Sequence, residues 1–137
     1  MAERSESDWK VLVTEGHEIL KGVARDGGLT NYGDLNKALA EATGLPGFDL
    51  ATDQGRGEMG QLLGRIAIQD WAVNPDFMLT SLVKLTAENG PGKGFFKLAE
   101  KEHFFNPTER DELDFWQEQV GKAHDRYRRG RRSSGKP

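Results

Sequence analysis

Apolar residues recur at helical spacing in several separate stretches of this chain. Over residues 8–24, Trp9, Leu12, Val13, Ile19, Leu20 and Val23 fall on one face, with Gly16 at a crowded contact and Ser7 or Asp8 placed to cap the start. Asp26-Gly27-Gly28 predicts the end of that helix, because glycine accepts left-handed backbone geometry past a helix terminus. A second helix is predicted over residues 31–43, capped by Thr30 or Asn31, burying Tyr32, Leu35, Leu39 and Ala42 and closing at Gly44. Residues 44–56 are dense in helix breakers and read as a loop that Phe48 and Leu50 anchor to the core. A helix from Arg56 to Trp71 then buries Met59, Leu62, Leu63, Ile66 and Ala67, and its other face offers Arg56, Glu58, Gln61, Arg65 and Gln69.

Residues 77–85 have strand character, and Asn89-Gly90-Pro91-Gly92-Lys93-Gly94 reads as a flexible tip before a shorter strand over 94–98, which predicts a hairpin. Thr108-Glu109-Arg110-Asp111 resembles a capping box, and the helix after it buries Leu113, Trp116, Val120, Ala123 and Tyr127. Two helices followed by a hairpin are the layout of a winged helix. The expected fold class is therefore mainly α (α+β): a winged helix-turn-helix with additional N- and C-terminal helices and a two-stranded wing. The expected organisation is a flexible N-terminus over 1–7, a single domain over 8–127, and a basic disordered tail over 128–137.

Three short motifs carry a resemblance. Thr30-Asn31-Tyr32-Gly33-Asp34-Leu35 opens one helix, Met59-Gly60-Gln61-Leu62-Leu63 lies in the next, and Gly92-Lys93-Gly94-Phe95 follows. Together they resemble the DNA-binding winged-helix part of the alkylguanine-DNA alkyltransferase family, over about half the chain. They also resemble small bacterial winged-helix modules attached to restriction or other defence proteins. The first resemblance implies a recognition helix and a glycine-rich wing that grip DNA. It does not carry alkyl transfer over, because Leu79-Thr80-Ser81-Leu82-Val83 stands where that family has its nucleophile motif and contains no cysteine.

Composition narrows the chemistry. The chain has 137 residues and no cysteine, which removes disulfides, thiolate metal sites and a cysteine nucleophile. No leader-like N-terminal segment and no apolar run near the ~20 residues needed to span a bilayer is evident, so the expectation is a cytoplasmic protein away from membranes. The net charge of −3 is unevenly distributed: residues 122–137 hold seven basic residues and one acid, a net +6, leaving −9 on residues 1–121. A basic end on an acidic body can bind phosphate backbones without sequence preference; a solvated, unpacked end is the other reading.

No catalytic constellation emerges. His17, His103 and His124 lie in separate elements without metal-ligand spacing and read as surface or boundary residues. Gly55-Arg56-Gly57-Glu58-Met59-Gly60 matches a dinucleotide fingerprint but lacks the preceding buried strand, so its glycines are better explained by close helix packing. Gly90-Pro91-Gly92-Lys93-Gly94 lacks the Ser or Thr and the following helix of a Walker loop. The expectation is a protein that is not an enzyme and has no cofactor or metal. In the first functional reading it binds DNA, with a regulatory or defence role, through Arg56, Gln61 and Arg65 on the recognition helix. Lys84, Lys93 and Lys97 act on the wing, and Arg128, Arg129, Arg131 and Arg132 on the tail. In the second it is a protein-interaction module or small subunit, pairing with a partner or a second copy through its terminal helices.

Overall fold

Ser5, not Ser7 or Asp8, starts the first helix: its hydroxyl accepts a hydrogen bond from the Asp8 amide at 3.1 Å. In this computed structural model, which describes residues 4–86 and 90–135 with side chains as far as Arg128, α1 spans Glu6–Arg25. Part of the expected flexible N-terminus is thus ordered against the body. Arg4 donates to the carbonyls of Pro46 and Gly47 at 2.9 and 3.3 Å and lies over the Phe48 ring at 4.4 Å. The helix ends where its glycines predict, with Gly27 at φ 70° and the Gly28 amide bonded back to the Val23 carbonyl at 3.1 Å.

The short strand β1, Thr30–Asn31, leads into α2, Tyr32–Thr43, which Asn31 caps through the Asp34 amide and left-handed Gly44 closes. Leu35 and Leu39 are buried as expected, whereas Ala42 is exposed. In the loop that follows, Asn36 clamps Phe48 from both sides of its peptide backbone. The Asn36 amide donates to the Phe48 carbonyl at 2.9 Å and its carbonyl accepts from the Phe48 amide at 2.8 Å, seating Phe48 in the core. Helix α3, Asp53–Trp71, begins three residues before the expected Arg56, capped by Thr52. A Cβ on Gly55 would sit 1.8 Å from the Asp49 carbonyl oxygen, and a Cβ on Gly16 only 2.7 Å from Ile66 Cδ1. These two glycines allow the loop to lie on α3 and α1 to cross it closely.

The expected hairpin does not form. Residues 77–83 are buried at every position; Leu79–Leu82 is a 3-10 turn, and Val83–Lys84 forms β2, paired in parallel with β1 in the register Thr30↔Val83, Asn31↔Lys84. The segment 94–98 lies inside a helix, α4, spanning Lys93–Lys101. The physical reason is visible in its side chains. Phe95, Phe96, Leu98 and Ala99 repeat at three- and four-residue steps between charged positions, a helical rather than an alternating pattern. The mainly helical fold class holds, while the two-stranded wing is replaced by a helix and a two-strand parallel pair.

Helix α5 spans Glu112–Gly135. Its start is capped by Asp111, whose carboxylate accepts from the Leu113 and Asp114 amides at 3.1 and 3.2 Å, while Thr108 folds onto Asn106 in the preceding turn. The helix continues past residue 128, where the sequence predicts a disordered tail; residues 136 and 137 lie outside the described residues. Helices α1, α2, α3 and α5 enclose the buried segment 77–83 in the main core, centred on Leu20, Leu35, Met59, Leu62, Ile66 and Leu82. Two side chains of α5 secure that segment. Trp116 donates to the Ser81 carbonyl at 2.7 Å, and the Gln119 carbonyl accepts from the Met78 amide at 2.9 Å. A second, aromatic cluster joins α4 to the base of α5, with Phe105 stacked on Phe115 at 4.7 Å and Trp71 on Phe104 at 5.1 Å.

Candidate nucleic-acid interface and an apolar cavity

The residues expected to read DNA do not share a face. Arg56 and Arg65 are nine positions apart on α3, which at about 100° per residue puts them half a turn from each other. Each is also engaged locally. Arg56 donates to the Leu50 carbonyl at 2.9 Å and pairs with Asp53, while Arg65 pairs with Glu6 at 3.2 Å and lies 4.7 Å over the Trp9 ring. Gln61 is exposed between them. Lys93 and Lys97 are exposed one turn apart on α4, and Lys84 is half-buried on β2, so none of the three stands on a wing. Arg128 is exposed on α5 and its guanidinium lies against Gly27, where an added Cβ would meet Nη1 at 3.0 Å. Arg129, Arg131 and Arg132 belong to the α5 backbone, and their side chains lie outside the described residues.

A buried polar network with no short sequence motif ties α1, α3 and α5 together. Asp70 is fully buried, and its Oδ1 accepts from His17 Nε2 at 2.8 Å, Asn74 Nδ2 at 3.1 Å and the Tyr127 hydroxyl at 3.2 Å. With the ring proton on Nε2, His17 Nδ1 accepts from Gln69 Nε2 at 2.9 Å. Arg126 Nε donates to Asn74 Oδ1 at 2.9 Å, extending the network to the surface. Burial first, and the Asp70 carboxylate second, push the Tyr127 phenol above its ordinary pKa. His17 is thus an internal residue rather than a surface one, and His124 is half-buried with Nε2 2.9 Å from the Gly28 carbonyl. Its signal was available: His17 continues the buried stripe Trp9–Val13 at four-residue steps, and Asp70 does the same after Ile66.

The three motif segments singled out in the sequence converge elsewhere, around a cavity of about 130 Å³ between α3 and α4. Tyr32 comes from the first motif, Gly60 and Leu63 from the second, and Gly92, Gly94 and Phe95 from the third. Thr80 from the 3-10 turn and Val83 from β2 line it as well, and no described lining residue carries a charged side chain. Burial raises the Tyr32 phenol above its ordinary pKa. Among the described residues no group of three or more histidines, aspartates or glutamates is placed to hold a metal ion, and no helix is long and apolar enough to cross a membrane. Set against protein-family models, curated proteins and solved structures, the chain matches none of them at a level that would show relatedness.

Proposed function

We propose that this chain is a non-catalytic nucleic-acid-binding protein whose contact is made by the basic end of α5 rather than by a helix-and-wing face. The observation that supports this is the continuation of α5. Tyr127 is the last described α5 residue packed on the main core, yet the helix runs on to Gly135 through Arg128, Arg129, Arg131 and Arg132. Four arginines on one helical segment gather positive charge on a single element, which an acidic body needs before it can approach a polyanion. Lys93 and Lys97, exposed and in successive turns of α4, are a second backbone-gripping pair. Contacts of this kind go to phosphates and imply no base preference.

The test is fluorescence anisotropy with a random-sequence duplex. Four phosphate contacts give an expected loss of about 100-fold in affinity between 50 and 200 mM salt. A chain ending after Arg128 keeps every described core residue and is expected to lose most of the binding and most of the salt slope. Equal binding by the two chains, or none by either, rejects the proposal and favours a protein-interaction role. That alternative has its own observation: Leu113, expected in the core, is 53% exposed on α5.

A further inference from the structure

Three helical glycines leave the α3–α4 cavity open. At Gly60 and Gly64 on α3 and at Gly94 on α4 an added Cβ would meet nothing within 4 Å, so these glycines are not there to let the helices touch. They leave bare backbone facing a space of about 130 Å³. That is slightly smaller than a cavity of about 150 Å³ that accommodates benzene in another protein.

Two hydroxyls with no partner among the described residues belong to the same lining. Thr80 is 5% exposed, lines the cavity, and its hydroxyl bonds to no described residue. Among the described residues its hydroxyl is not one of the fully enclosed, unpartnered side-chain oxygens, which are Asp70 Oδ2 and Ser81 Oγ, and Thr80 itself lines the cavity. The Tyr32 hydroxyl is likewise unbonded among the described residues and stands at the Gly92 rim, where an added Cβ would come within 3.1 Å of it. Hydroxyls in an apolar wall are the points at which a ligand's polar group can be hydrogen-bonded and oriented. The remaining walls, Leu63, Val83, Phe95 and Leu98, are apolar. With no charged group among the described lining residues, an ionised ligand would be desolvated there without compensation, which selects a neutral one.

We propose that this cavity is a binding site for a small uncharged ring compound bearing one hydrogen-bonding group, of the phenol class. The ring lies on the glycine face of α3 against Phe95, and its polar group reaches the Thr80 and Tyr32 hydroxyls. This site is separate from the α5 arginines, so it stands or falls independently of the nucleic-acid reading.

Amide NMR of the full chain, titrated with phenol, benzene and benzoate, tests it. Phenol is expected to give saturable shifts at the amides of Gly60, Gly64 and Gly94, with an affinity on the order of millimolar for so few atoms. Benzene is expected to bind several-fold more weakly, and benzoate not at all. Thr80→Val keeps the shape, removes the hydroxyl, and is expected to weaken phenol by about fivefold, as for one hydrogen bond, with benzene unchanged. Gly64→Leu, filling the open space, is expected to remove both responses. If that variant does not fold, the Thr80→Val comparison decides alone. Absence of saturable shifts at these amides, benzoate binding as tightly as phenol, or an unchanged phenol affinity in Thr80→Val overturns the proposal.

Discussion

Asp70 shows how much one side chain can organise. Its carboxylate is buried at the meeting of three helices, and Oδ1 takes three donors while Oδ2 finds none among the described residues. Such a group is tolerated only while its partners stay in place. His17→Ala removes the shortest of the three bonds and leaves a hole against α3. The expected cost is about 3 kcal/mol, read as a lower urea midpoint with an unchanged slope. A loss within 0.5 kcal/mol, the range typical of surface substitutions, would show that the network does not hold the helices together. A lone polar residue on an apolar stripe is visible in the sequence. Its partner is not, because His17 and Asp70 lie on different helices and meet only when α1 crosses α3 at Gly16.

The glycines around Pro91 suggest a turn, but the segment after it folds as a helix. Gly90, Gly92 and Gly94 fit a hairpin tip, but only Gly92 ends up at a boundary, as the residue preceding α4. The apolar spacing of Phe95, Phe96, Leu98 and Ala99 carries the helix, because burying those four against Met78, Phe105 and Phe115 outweighs the poor propensity of one glycine. This has a measurable consequence. Gly94 is exposed and has room for a side chain, so Gly94→Ala is expected to stabilise the protein by about 0.5–1 kcal/mol in urea unfolding, through helix propensity alone. The same substitution in a glycine-dependent hairpin turn would destabilise, so the sign of the change separates the two structures. His103 closes α4 in the left-handed region at φ 67°, with the Phe104 amide bonded to the Ala99 carbonyl at 2.8 Å, a glycine's place taken by another residue. That ending has no sequence signature.

Two half-buried phenols make the stability of the molecule pH-dependent on the alkaline side. Tyr32 and Tyr127 both have folded-state pKa values raised above the ordinary tyrosine value, in each case chiefly by burial. The native state therefore holds these protons to higher pH than the unfolded chain does. Their contribution is fully present below about pH 10 and is lost as pH rises through the folded values. Melting temperature is expected to fall as pH rises above that point, with tyrosinate absorbance appearing later in the folded protein than in the unfolded chain. Tyrosinate formation in the still-folded protein at about pH 10 would contradict the burial of both rings. The helix content, the core faces of α1 and α3, the crowded Gly16 and the basic end follow from residue order alone. Each depends on 3.6-residue periodicity, local side-chain volume or charge, which neighbours in sequence suffice to define. The same periodicity puts Arg56 and Arg65 on opposite sides of α3, which corrects the expectation of a shared face. The parallel pairing of Thr30–Asn31 with Val83–Lys84, the Asp70 network and the cavity joining Tyr32, Gly60 and Phe95 were decided only by the tertiary structure. Those features need atoms from distant positions brought within bonding range, and helix packing rather than local preference determines which ones meet.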